Sequence, residues 1–322
     1  MNAAALEIRA AEIRSGEDLR EAAQGADLRI VQLIPGRFRG ALMHANVDGL
    51  AFSTGEFTPD IRARGVMHPN ACTIGMLLDT TGEVSQWEYD VRPGDAVVFP
   101  EHVEQEGHFT GSSAYATISM TAEELAGFAR GEPGLDDPDF WRKLGRYRSS
   151  PAVARRARRT LAASISLLRH ARPLLRTADR ELLRRSMIES FLAGIIHERP
   201  DWRVHRSYPG ARLVREVEDY ADRQQGRPVH LSEICAALGV PRRSLHRAFA
   251  DVLGIGPSAY LRRRRLSAVR SALRKPETAT GSVTQAALDQ GFYELGQFAR
   301  GYHEMFGETP SETMRGARSR AG

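Results

Sequence analysis

Residues 245–262 read LHRAFADVLGIGPSAYLR, and residues 298–315, 53 positions further on, read FARGYHEMFGETPSETMR. Five of the eighteen positions are identical: Arg247/Arg300, Gly254/Gly307, Pro257/Pro310, Ser258/Ser311 and Arg262/Arg315. Leu245/Phe298, Phe249/Tyr302, Asp251/Glu304 and Leu253/Phe306 keep their character. Each copy reads as a helix, a glycine that ends it, and a Pro-Ser that begins the next helix. A period of this length marks a duplicated structural unit.

A shorter helix precedes each copy. Leu231 to Leu238 runs to Gly239, with Cys235 four positions before the glycine. Ser282 to Gln290 runs to Gly291, with Ala287 in the same place, and Ser282 with Gln285 matches a capping box. Helix, glycine turn, second helix and a small residue at the crossing make a helix-turn-helix pattern, here twice. The second helix of such a unit lies in the DNA major groove. With Leu245, Phe249 and Val252 inward, Arg243, His246 and Arg247 share the opposite face. With Phe298, Tyr302 and Phe306 inward, Gln297 and Arg300 face out. Arginine pairs bidentately with guanine O6/N7 and glutamine with adenine N6/N7. Arg242 is expected to meet phosphate rather than a base edge.

Pro257 to Lys275 reads as one linker helix containing Arg262-Arg-Arg-Arg265. At ~1.5 Å per residue it approaches the ~34 Å between successive major-groove faces. Its four arginines surround the helix, so some are expected to meet protein groups rather than phosphate.

Charge is divided along the chain. Residues 1–150 hold 14 Lys/Arg and 23 Asp/Glu, residues 151–207 hold 13 and 5, and residues 208–322 hold 18 and 12. An acidic front and basic rear place a polyanionic partner at the rear. No apolar run reaches the ~18 residues of a membrane span, and the charged start has no signal-peptide core. The cysteines, Cys72 and Cys235, imply no disulfide framework. A cytoplasmic protein without membrane attachment is expected.

Residues 27–121 read as short strands: LRIVQLI, ALMHANV, LAFSTGEF, CTIGMLLD, VSQWEYDV, DAVVFP and AYATISM. Turns at Pro35-Gly36, Thr81-Gly82 and Pro93-Gly94 separate them, favouring a small barrel or sandwich. Thr121 and Glu124 match a second capping box. Helices are expected over about 151–170 and 177–198. In the second, Leu182, Leu183, Met187, Ile188, Phe191, Leu192, Ile195 and Ile196 form an apolar stripe suited to core packing or to a dimer seam. Breaks at Arg199-Pro200-Asp201 and Tyr208-Pro209-Gly210 precede the rear domain.

The closing stretch, SVTQAALDQGFYELGQFARGYHEMFGETPSETMR, resembles the signature of the AraC/XylS family of bacterial regulators, and the likeness extends over about residues 209–318. It implies seven helices with two helix-turn-helix units. It also implies base-reading roles for Arg243, His246, Arg247, Gln297 and Arg300. The sequence departs from the family pattern at His230, where a serine or threonine N-cap is usual, and at Gly296 inside a recognition helix. Gly94 to Pro100 (GDAVVFP) is similar to a strand of cupin-like sensor barrels.

The expectation is therefore an α+β chain. It comprises an N-terminal cupin-like β-barrel sensor domain (1–125), a helical connector and dimerisation region (126–205), and an all-α domain (206–322). The last holds two helix-turn-helix units joined by a linker helix. The function expected is a promoter-binding regulator, an activator by family habit, with a homodimer, an RNA polymerase contact and an unspecified small-molecule or protein effector. A coating protein without sequence preference is a weaker reading, because it needs no base-reading side chains. The enzyme alternative is a cupin metalloenzyme with a DNA-binding tail. His68, His102 and His108 lie near Glu101, Glu104 and Glu106, but no His-x-His pair occurs in 27–121. Neither a metal nor a cofactor nor a catalytic residue is expected. Met67, Trp87, Tyr89, Phe99 and Tyr115 are candidates for a ligand pocket, with ordinary packing as their other explanation.

Overall fold

The computed structural model describes residues 6–22, 26–87, 89–170, 176–196, 209–224, 227–275 and 282–321. The expected break at 199–201, and Tyr208 of the second break, lie outside these residues. The chain forms two compact units. One takes Met1–Arg29, Arg39–Thr58 and Ala63–His205, and the other takes Ile30–Phe38, Pro59–Arg62 and Arg206–Gly322.

Twelve strands form among the described residues. They are β1 (Glu7–Ile13), β2 (Asp27–Gln32), β3 (Arg39–Val47), β4 (Leu50–Thr58), β5 (Ile61–Val66) and β6 (Cys72–Thr80). Then come β7 (Val84–Gln86), β8 (Tyr89–Val91), β9 (Ala96–Phe99), β10 (Glu104–Phe109), β11 (Ser113–Met120) and β12 (Gly145–Tyr147). The stretch VSQWEYDV, which reads as one strand, is two: Trp87 takes a left-handed φ of 51°, and β7 folds back antiparallel on β8.

The strands make two open sheets, ordered β1-β3-β4-β11-β6-β9-β12 and β2-β5-β10-β7-β8. The barrel expected from the sequence is thus not closed, because the edge strands of each sheet do not pair with the other. A cluster of Leu77, Val97 and Phe99 from one sheet with Val84, Val91 and Phe109 from the other fills the space between them. Met67, Trp87 and Phe99, candidates for a pocket wall, pack in or against this cluster.

The first unit also holds α1 (Gly16–Ala22), α2 (Ala122–Phe128), α3 (Pro138–Trp141), α4 (Pro151–His170) and α5 (Thr177–Ile196). Thr121 caps α2 with the complete reciprocal box to Glu124. The stripe of α5 faces the seven-stranded sheet. Leu183, Met187, Ile188, Phe191, Leu192 and Ile195 are buried with Phe52, Ile74, Met76 and Ile118. Each such side chain, fully buried, contributes ~1.5–3 kcal/mol. The stripe is therefore core, and Leu182 alone in it stands out, at 70% exposure.

The second unit contains α6 (Pro209–Arg223), α7 (Leu231–Leu238), α8 (Arg242–Leu253), α9 (Pro257–Arg274), α10 (Val283–Asp289), α11 (Leu295–Phe306) and α12 (Pro310–Ala321). Val31 and Leu33, which read from sequence as part of the front, are core residues here beside Val214, Val217, Leu245 and Phe249. Arg62, from the same unit, makes a bidentate pair with Glu218 of α6, Nε–Oε1 at 3.2 Å and Nη2–Oε2 at 3.0 Å, both side chains being 4% exposed. Tyr260 donates its hydroxyl to the same carboxylate. Gly36 N and Gln32 Nε2 donate to the carbonyl of Met305, both at 3.1 Å. Local pattern reading misses this, since each partner lies far off in sequence. No helix among the described residues is long and apolar enough to cross a membrane.

Candidate nucleic-acid interface

Helix α7 begins without a side-chain cap: His230 is its N-cap and makes no capping hydrogen bond. It ends at Gly239, whose φ of 64° is left-handed, a conformation that costs a residue with a Cβ. After that turn α8 runs from Arg242 to Leu253 and stops at Gly254, φ 66°. Leu245, Ala248, Phe249 and Leu253 of α8 are buried, and Val252 is half-buried. Helical periodicity then puts Arg242, Arg243, His246 and Arg247 in solvent, and all four are exposed.

The second pair repeats the arrangement with a better start. Ser282 accepts from Gln285 N at 3.0 Å. The expected capping box is half formed, because the Gln285 amide donates instead to Asp289 at 2.7 Å. Gly291 turns the chain at φ 70°. Helix α11 then buries Phe298, Tyr302 and Phe306, and stops at Gly307, φ 69°. Rings pack along it, tilted for Phe292–Phe298 at 5.1 Å and edge-to-face for Phe298–Tyr302 at 5.7 Å and Tyr302–Phe306 at 4.8 Å between centroids. Gln297 and Arg300 are exposed, and Gly296 faces open space.

None of Arg242, Arg243, His246, Arg247, Gln297 and Arg300 makes a side-chain hydrogen bond or ion pair among the described residues. They stand as two sets of uncommitted donors on two helices of one repeat. Sequence reading overlooked Tyr293, 74% exposed just before α11 and next to the buried Phe292. The signal was present: after a glycine, two successive aromatics in extended chain point to opposite sides.

The arginine run of α9 divides as its circumferential placement requires. Arg264 pairs with Asp222 and donates to Glu218 O at 3.0 Å, and Arg263 reaches Leu33 O. Arg265 donates to the Gln290 and Gly291 carbonyls at 3.2 and 3.3 Å and lies 4.7 Å over the Phe292 ring. Burial, with the neighbouring Arg262 charge, lowers the pKa of Arg263 and Arg265. Arg262 is exposed. Three of the four therefore fasten the linker helix. That helix is 18 residues, ~27 Å, long.

Residues 234–316 match the family model described as a helix-turn-helix domain. The chain is 36% identical over 104 residues to the XylDLEGF operon transcriptional activator of Pseudomonas putida, covering 32% of this chain and 31% of that protein. Over this rear domain the chain is similar to transcription regulators of the AraC/XylS type. A second AraC/XylS-type relative, the probable thc operon regulatory protein of Rhodococcus erythropolis, is 31% identical over 133 residues, 40% of each chain. The chain thus spans between about a third and two fifths of these curated relatives. Among solved structures, it is similar to the AraC-like transcriptional activator CuxR at 17% identity, over 81% of this chain and 94% of that one, with a TM-score of 0.42.

These AraC/XylS relatives are regulators, so the metalloenzyme reading finds no support. His68 is engaged locally, its Nδ1 accepting from Asn70 N at 3.1 Å. Among the described residues no group of three or more His, Cys, Asp or Glu is placed to hold a metal ion.

Proposed function

We propose that this chain binds a promoter site in double-stranded DNA and activates transcription in response to a signal. Both helix pairs serve as helix-turn-helix units, with α8 and α11 as the base-reading helices. Arg243, His246, Arg247, Gln297 and Arg300 read base edges, and Arg242 meets phosphate. The sheet unit plays the part of the cupin-like sensor expected from the sequence. Two copies pair through residues 1–205, the connector over 126–205 included, and the bound regulator contacts RNA polymerase in the cytoplasm.

The observation that carries this reading is the repeat of uncommitted side chains. Two helices, each held by the same buried pattern 53 residues apart, expose six side chains whose donors and acceptors no group among the described residues uses. Relatives of the rear domain named as activators of operons support the sign of regulation. A gel-shift titration of the full chain on DNA flanking its own gene, against a shuffled control at near-physiological salt, tests it. Preference for the native DNA by ~1000-fold is expected. Equal, steeply salt-dependent binding to both would favour a coating protein. Loss of binding to both would overturn the reading.

A further inference from the structure

Helix α4 carries five arginines, at 155, 156, 158, 159 and 169, and no acidic residue. Helices α5 and α6 neutralise some of their arginines internally, as in Arg185–Glu189 and Arg212–Glu216. Helix α4 instead sets Arg155 and Arg159 one turn apart, a like-charge spacing that destabilises an isolated helix. Its buried face, Ala154, Ala157, Leu161, Ser164, Ile165 and Leu168, packs on the unit and fixes which residues face out.

What α4 faces is a cleft of about 560 Å³ against the seven-stranded sheet, wholly within the first unit. Arg155, Arg158, Arg159 and Arg169 line it, with Glu56 as the one carboxylate of the lining. Arg158 approaches Asp79 at 3.6 Å. Arg155, Arg159 and Arg169 make no hydrogen bond or ion pair among the described residues. Leu78 and Ala114 supply apolar surface on the sheet side, and Ala162 and Ile165 on the side of α4. Leu78 is the extra residue of a bulge: β11 and β6 pair Ala114 with Asp79 but Tyr115 with Leu77. Bulges re-aim side chains and are over-represented beside functional sites. The volume falls within the range of small-molecule sites.

We propose that this cleft binds a small organic anion, a carboxylate or phosphate carried on an apolar body, and that this anion is the signal of the regulator. The guanidiniums of Arg155 and Arg159 take the acidic group, and the body lies on Leu78 and Ala114. Binding removes the repulsion between the two arginines. A straight, broad duplex fits a concave cleft with apolar surface on both sides poorly, so DNA is the less favoured occupant. The role as signal rests on the regulator reading above, whereas occupancy of the cleft does not.

The test uses the full chain and the fluorescent probe 1-anilinonaphthalene-8-sulfonate, a sulfonate on an apolar ring system. Saturable binding is expected. It should weaken at least ~10-fold in Arg155→Gln/Arg159→Gln and tighten a few-fold in Glu56→Gln, with unchanged circular dichroism and unchanged affinity for duplex DNA. Phenylacetate and phenyl phosphate as competitors then decide between a carboxylate and a phosphate. Equal probe binding by all three proteins would overturn the proposal. So would a loss of duplex affinity in the double variant with probe binding intact, which would make the arginines a DNA contact. Probe binding that obeys the pattern in a chain that binds no promoter would keep the cleft and sink the regulator reading.

Discussion

Phe249 and Tyr302 stand 53 residues apart, and both are completely buried, at 0% exposure. Each fixes its helix about the axis, so Arg247 and Arg300, two positions earlier, are exposed at equivalent places. Replacing either arginine with alanine should reduce specific affinity by about 1–3 kcal/mol, roughly 5–150-fold, and relax preference at one base position. Binding to shuffled DNA should change much less. Gel shifts on operator variants check this, and undiminished selectivity in both variants would remove these residues from the readout.

Tyr293 should contribute from the turn before α11. It is 74% exposed, beside a helix whose Gln297 and Arg300 project into solvent. Tyr293→Ala is expected to weaken operator binding while leaving the melting temperature within about a degree. A fall in stability without a change in affinity would assign the ring to packing.

His230 offers a gain rather than a loss. It occupies an N-cap with extended backbone, φ −80° and ψ 144°, yet provides no capping bond. Glu233, three residues on, stands where a capping box needs its acid. His230→Ser should stabilise the unit by about 1 kcal/mol in urea unfolding. An unchanged midpoint would mean that Glu233 stays with Arg227, its partner at 2.7 Å.

Cys72 makes stability depend on alkaline pH. Burial, with a smaller effect from the Glu101 charge, pushes its thiol up to about 12. In the unfolded chain the thiol ionises near pH 9, so above that the unfolded state holds fewer protons than the native one. Stability should fall as pH rises from about 9 toward 12, by at most about 1.4 kcal/mol per unit from this group. Between pH 9 and 10, below the tyrosine range, Cys72→Ala should show a shallower slope than the parent. Identical slopes would refute the assignment.

The rear domain was legible because its information is local. Gly254 and Gly307 end helices at φ 66° and 69°, and such glycines announce themselves in any sequence with a period. The front was legible in part. β1, EIRAAEI, lies at a sheet edge and leaves most of its residues exposed, so its charges hid it from a search for apolar runs. Whether two sheets close into a barrel depends on pairing between edges, which no single strand records. The exposed set on α8 and α11 was legible from helical spacing, whereas Tyr293 precedes its helix and was signalled only by the pair of aromatics after Gly291. Arg62 and Glu218 were the least legible, since an isolated charge reads as surface.

Arg62→Met should be costly for that reason. It would leave the Glu218 carboxylate buried with the Tyr260 hydroxyl but without its cation, at a cost of about 3–5 kcal/mol. Thermal melting of the full chain measures it, and Arg62→Met/Glu218→Leu should recover much of the loss. A single variant as stable as the parent would mean that the pair does not hold α6.

The pieces Ile30–Phe38 and Pro59–Arg62 bear on how this protein can be rebuilt. Sensor-swapping chimeras are ordinarily joined at the linker, on the assumption that the reader travels as one continuous stretch. Here a graft of residues 206–322 alone would leave behind Val31, Leu33 and the guanidinium that neutralises Glu218. The transplanted reader would carry an open hydrophobic wall and a stranded acid. A working hybrid must bring those two short front segments along, or replace Glu218 and its neighbours with side chains that need no visitor.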